Sequence, residues 1–151
     1  MKKENVLYEI IESNIDSPFC IKVFHVPIEE LHHVVEKHWH RSIEFIVTTG
    51  NESQTWIEGK YYTITPDNFV CVNSRFINEC QAIYKNVPYQ GYSIQLKYDY
   101  LLKIIPDIDQ LEFQTLYDSK MDVKLLSILE NIIEIETKNT KNKGLKFRSL
   151  A

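Results

Sequence analysis

From Phe19 to Lys97 the chain breaks into short runs rich in β-branched and aromatic residues, separated by turn residues. The runs cover residues 19–26, 42–48, 54–57, 61–65, 69–73, 81–84 and 91–97, and Pro18, Pro27, Gly50, Gly59, Pro66 and Pro88 punctuate them. Such side chains fit a pleated, half-buried surface. Many short strands at close spacing predict a sandwich or a barrel. Residues 54–57 and 61–64 flank Glu58, Gly59 and Lys60, a three-residue connection with glycine where a hairpin needs positive φ.

After Lys97 the period changes. Asp99 is placed to cap a short helix with Leu101, Leu102 and Ile105 on one face, and Pro106 cannot extend it. Ser119 followed three residues later by Asp122 reads as a helix start of the capping-box kind, and the helical pattern continues to about Lys138. Within it Met121, Leu125, Ile128, Ile132 and Ile135 recur at spacings of four, three, four and three, the rhythm of a helix packed along a partner helix. Leu126, Leu129 and Ile133 form a second stripe, turned about 100° around the axis.

One barrel needs only one such stripe. Two stripes predict two partners, the helix's own barrel and the same helix of a second copy, with Leu125, Ile128, Leu129, Ile132 and Ile133 as candidate dimerisation residues. A helix sunk into its own domain on both sides gives the same pattern. Residues 138–144 are polar and read as linker. Residues 145–151 restart an apolar and basic pattern, the expected start of a truncated following domain. The organisation expected is therefore a barrel over 1–98, a helical dimerisation segment over 99–138 and a linker over 139–151.

At 151 residues one core is the default. With 44% apolar and 25% charged residues the composition is that of an ordinary soluble domain. No apolar run approaches the roughly 18 residues of a membrane helix, and Glu9 and Glu12 interrupt any signal-peptide apolar region. Cys20, Cys71 and Cys80 lack CxxC spacing, which argues against a disulfide framework or structural zinc and for reduced thiols in a cytoplasmic protein. The net charge of −4 disfavours nucleic-acid binding by this segment, because phosphate neutralisation needs a concentrated basic surface.

The candidate chemistry lies in the run HWHRSIEFIVTTG, residues 38–50. On a continuous strand His38, His40 and Glu44 would project from one face. This run resembles the first cupin motif: His40 to Glu44 leaves three residues between, and Glu44 to Gly50 leaves five. The second cupin motif matches residues 59–80 less well, keeping Gly59 and Pro66 but with Asn68 where glycine is usual and Asn78 at the position of the last histidine ligand. Amide oxygen is a poor ligand for metals that imidazole selects, so no metal and no cofactor are expected. His32 and His33 lie upstream and could complete an ad hoc site.

The order of barrel, GYSIQLKYDYL at 91–101 entering a helix, amphipathic helix and KFRSLA at 146–151 resembles the sensor half of AraC-family transcription regulators. The resemblance implies a mainly β fold, a cupin-like double-stranded β-helix (jelly-roll) barrel followed by a C-terminal helical dimerisation segment. It also implies a non-enzymatic, cytoplasmic module that binds a small-molecule effector, forms a homodimer, makes no membrane contact and reaches DNA only through a C-terminal helix-turn-helix domain absent from this chain. His38, His40, Glu44, Trp56 and Tyr62 are the candidate ligand-binding residues, offering hydrogen bonds and stacking faces for a sugar or another metabolite. Aromatic residues such as Trp56 and Tyr62 are more often core or surface packing than ligand contacts, and His40 and Glu44 also read as a pair hydrogen-bonded to one another. The alternative function is a metal-dependent cupin enzyme, a dioxygenase or sugar isomerase, with His38, His40 and Glu44 as ligands.

Overall fold

The computed structural model describes residues 6–9, 17–28, 35–83 and 86–139. The expectations for His32, His33, Tyr84 and the residues after Asn139 lie outside these ranges.

The elements in chain order are β1 (Leu7–Tyr8), β2 (Phe19–Val26), β3 (Val35–Trp39), β4 (Ile43–Gly50), β5 (Ser53–Ile57), β6 (Lys60–Ile64), β7 (Asn68–Val72), β8 (Asn78–Ala82), β9 (Tyr89–Leu96), α1 (Tyr98–Ile104), β10 (Leu116–Asp118) and α2 (Val123–Asn139), with a 3-10 turn at Ile108–Gln110. They form two five-stranded sheets, β1-β3-β8-β5-β6 and β10-β7-β4-β9-β2. The protein is mainly β, a jelly-roll barrel followed by a C-terminal helix.

Strand parity divides the second sheet into two buried faces. Lys22, Phe24, Glu44, Ile46, Val70, Val72, Ser93 and Gln95 are matched across β2, β9, β4 and β7 and face the barrel interior. Residues of the opposite parity, Ile21, Phe45, Val47, Phe69 and Ile94, meet Leu125, Leu126, Leu129, Ile132 and Ile133 of α2. Burial on both sides explains why β7 reads FVCV without alternation. Gly91 stands where a side chain has no room: an added Cβ would lie 2.6 Å from the Tyr89 hydroxyl.

Several local expectations are corrected. Ile57 pairs with Lys60, so the hairpin loop has two residues, Glu58 and Gly59, both at positive φ (44° and 92°), the geometry of a type I′ turn. The strand expected at 81–84 spans Asn78–Ala82, and β1, β3 and β10 add pairings too short or irregular to show a period. Asp99 lies inside the first turn of α1, whose cap residue is Lys97, and only Leu101 of that helix is buried. The turn before α2 is organised by Asp118, whose Oδ1 accepts from Lys120 N at 2.7 Å while Asp122 Oδ2 accepts from Asp118 N at 3.1 Å. Ser119 instead donates to the Pro66 carbonyl at 3.4 Å. No helix among the described residues is long and apolar enough to cross a membrane.

Candidate functional site: a polar pocket between the sheets

His38 and Glu44 belong to different sheets. β3 ends at Trp39 and β4 begins at Ile43, so residues 40–42 carry the chain across the barrel. The run 38–44 is not one continuous strand, and its three side chains meet because the strands before and after the crossing both aim them inward. All three are buried.

The crossing is pinned by its own polar atoms. His40 Nδ1 lies 3.0 Å from the Ser42 carbonyl and 2.9 Å from its hydroxyl, while Nε2 reaches Glu44 Oε1 at 3.3 Å. On the other carboxylate oxygen, Glu44 accepts from the Ser93 hydroxyl and from Gln95 Nε2 at 3.0 Å. Ser42 donates to Gln95 Oε1 at 3.3 Å. Burial opposes charge on Glu44, but the His40 hydrogen bond, the neighbouring histidines and the Ser93 hydroxyl outweigh it and hold its carboxyl well below the usual range. His38 shows the opposite balance: desolvation dominates the attraction of Glu44 and lowers its pKa. Its Nδ1 is fixed on the Glu36 carbonyl at 2.7 Å.

Glu9, next to β1, completes the polar end. Its Oε1 pairs with Lys22, and its Oε2 accepts from Gln95 Nε2 at 3.1 Å and lies 3.6 Å from His38 Nε2. A pocket of about 380 Å³, its open mouth included, is lined by Glu9, Lys22, His38, Glu44, Asn78 and Ser93 at one end and by Phe24, Val35, Ile46, Cys80 and Tyr89 along its walls. Asn78 faces His38 directly across β8 and β3.

The structure brings His38, His40 and Glu44 together and keeps Trp56 and Tyr62 apart from them. Trp56 points outward, with the Lys37 ammonium 4.4 Å from its ring centre, because its neighbours Thr55 and Ile57 take the inward positions. Tyr62 faces inward but packs on the apolar cluster of Ile46, Ile57, Ile64, Val70 and Val72. Glu9, Lys22, Ser93 and Gln95 escaped the sequence reading. The signal available for two of them was parity, since Tyr89, Gly91, Ser93 and Gln95 share one face of β9 and that inward face carries two polar residues.

Glu9, His38 and His40 offer ligand atoms within 4.8 Å of one another, a set that could hold a divalent ion. The Lys22 ammonium already sits on Glu9 and would stand beside any such ion as a second cation, which opposes its binding. The donor set therefore fits a metal poorly.

No protein-family model matches the chain, and no curated protein sequence does. Among solved structures, it is similar to ToxT of Vibrio cholerae in its apo form (10% identity, TM-score 0.51, 80% of this chain and 48% of that one). It is also similar to ToxT with bound unsaturated fatty acid (9% identity, TM-score 0.50, 82% and 48%). A cupin 2 domain-containing protein of Halorhodospira halophila aligns more loosely (12% identity, TM-score 0.44, 66% and 74%). At these identities the likeness to ToxT is one of fold.

Proposed function

We propose that this chain is an effector-sensing and dimerisation module of an AraC-type transcription regulator. The observation that carries the reading is the pocket itself: a cleft between the sheets, open at its mouth, apolar along its walls and polar at one end, which is the usual composition of a small-molecule site. The fold shared with ToxT, an AraC-family regulator about twice the aligned length, supports the same reading. In it, residues 1–98 bind the effector, 99–138 carry the dimer contact, and 139–151 lead toward DNA-binding helix-turn-helix units outside this sequence. The net charge of −4 agrees with DNA contact being made elsewhere.

The dimer contact lies on the outward side of α2. Leu129 is buried and Leu126 and Ile133 pack with it on the barrel, whereas Met121, Val123, Ile128 and Ile135 are exposed. Ile128 and Ile135 stand seven residues apart on α2, the spacing of a helix-pairing seam, Met121 lies in the turn before the helix, and Leu125 and Ile132 border both surfaces.

A thermal-shift panel of metabolites tests the sensor reading: a ligand at 100 times its dissociation constant stabilises the fold by about 2.7 kcal/mol. A panel of sugars, organic acids and amphiphiles without any such shift would overturn it. The second reading, a metal-dependent enzyme, draws on the Glu9, His38 and His40 set. Elemental analysis separates the two, since one equivalent of Fe, Mn, Ni or Zn lost on His40→Ala would favour the enzyme.

A further inference from the structure

One end of the second sheet leaves apolar side chains exposed. There Ile43, the first residue of β4, stands opposite Leu96, the last of β9, and Leu96 stands opposite Phe19, the first of β2. β7 ends beside them at Val72, opposite Glu44. Asn73, next in the chain, holds Phe113 by two hydrogen bonds: its Nδ2 donates to the Phe113 carbonyl at 2.9 Å, and Phe113 N donates to its Oδ1 at 2.8 Å. α1 leaves β9 at the same end and turns Leu101 inward. Tyr100 and Ile104, one helical turn apart on its flank, stay exposed, Ile104 at 55%. Leu111 and Phe113 are exposed beyond the 3-10 turn, which the Tyr98 hydroxyl ties to α1 by donating to Asp109 Oδ2 at 2.6 Å. This stretch, residues 98–113, carries Asp99, Asp107, Asp109 and Glu112 against Lys103 alone. Its surface is both apolar and acidic.

α2 ends close to this surface. Ser17, two residues before β2, donates to Glu136 Oε1 at 2.9 Å, within a turn of Asn139, the last residue of α2. Residues 140–151 contain Lys141, Lys143, Lys146 and Arg148, no acid, and the apolar Leu145, Phe147 and Leu150. Four strand spacings of about 4.8 Å, about 20 Å in all, separate β2 from β10. α1 lies between, packed on Ile43 and Cys71 of β4 and β7. The six residues from Asn139 to Leu145 span about 20 Å when extended, so the chain leaving α2 reaches the whole of this face.

We infer that the face formed by α1 and residues 111–113 is the docking surface for this chain's own residues 145–150, whose apolar side chains cover Tyr100, Ile104, Leu111 and Phe113. Charge selects this occupant. Four bases approach a stretch with a net charge of −3 (four acids, one lysine), whereas the same face of a second copy would bring like charges together. The apolar residues supply the burial that exposed ion pairs, individually weak, do not. The contact holds the chain that leaves α2 against the end of the barrel. It involves no ligand and stands independently of the sensor reading.

Limited trypsin digestion of the whole chain tests the contact, because Lys141, Lys143, Lys146 and Arg148 are cleavage sites within or beside the docked segment and cleavage follows the population of released chain. Cleavage there should be about tenfold slower in the wild type than in Leu145→Ser with Phe147→Ser. Ile104→Ser with Leu111→Ser, at exposed positions, should release the segment to the same extent. In nitrogen-15 correlation spectra the tail variant should move the amides of Tyr100, Ile104, Leu111 and Phe113 and leave Val26 and Gln90, at the far end of the sheet, in place. Equal cleavage rates in the wild type and the tail variant, or unmoved α1 amides, overturn the inference. So does protection that rises with protein concentration, which would give the face to a second copy. Should the α1 variant unfold, the tail variant, whose substitutions lie outside the barrel and α1, decides alone.

Discussion

Gln95 and Glu44 face each other across β9 and β4, and one side-chain amide of Gln95 serves two carboxylates. Its Nε2 donates to Glu44 Oε2 at 3.0 Å and to Glu9 Oε2 at 3.1 Å. A buried carboxylate stripped of such a donor retains its desolvation cost without compensation. Gln95→Leu should therefore lower stability by about 3 kcal/mol in urea unfolding. A loss below about 1 kcal/mol would mean that the network contributes little.

The same network fixes the pH dependence. His38 and Glu44 both have lowered pKa values in the folded protein, so the unfolded chain binds more protons and stability falls as pH falls. The His38 contribution is complete above its ordinary value of 6.5 and is lost below it; the Glu44 contribution is complete above 4.5 and is lost below that. Urea midpoints should fall steadily from pH 7.5 toward pH 4. His38→Gln should flatten the upper part of that slope, and an unaltered slope in this variant would contradict the assignment.

The faces of α2 predict two distinct kinds of variant. Leu129 fills the space between Phe69 and Ile94, so Leu129→Ala should cost about 3 kcal/mol. Ile128→Glu with Ile135→Glu, both on the exposed face, should leave the fold intact by circular dichroism and turn a dimer into a monomer by light scattering, with a melting temperature lowered only by the lost association. A monomeric wild type, or a double variant that stays dimeric, would remove this face from the dimer contact.

Burial pushes the Cys71 thiol up to about 12 and raises Cys80 as well. Thiolate is the reactive form, so neither should react with a disulfide reagent at pH 8 in the native state. Cys20, half-buried, is the site open to slow labelling. Native protein should titrate at one thiol or fewer and unfolded protein at all three; rapid labelling of two in the native state would contradict the packing.

Much of the barrel could be read directly, because β2, β4, β5, β6, β7 and β9 each carry a run of β-branched or aromatic residues long enough to register. β1 was not legible, since two residues have no period, and Glu9 was hidden with it. The convergence of His38, His40 and Glu44 does not come from alternation along one strand; the crossing between sheets at residues 40–42 brings them together. Trp56 and Tyr62 have the chemistry of ligand contacts, but Trp56 alternates with inward-facing Thr55 and Ile57 and so points out, and Tyr62 packs in the apolar cluster. The two stripes of α2 were visible as periods, but only the packing of Leu129 against Phe69 and Ile94 distinguishes the barrel face from the outer one.

In the proposed sensor a small molecule binds between the sheets at the Lys22, His38 and Glu44 end. The most direct measurement is a nitrogen-15 correlation spectrum of the protein titrated with whichever panel member raises its melting temperature. The backbone amides of Lys22, Phe24, His38 and Tyr89 and the side-chain amides of Asn78 and Gln95 should shift together, while the Trp56 indole on the outer face stays in place. Shifts centred on Trp56 and its neighbours, with Gln95 and Asn78 unmoved, would contradict the account.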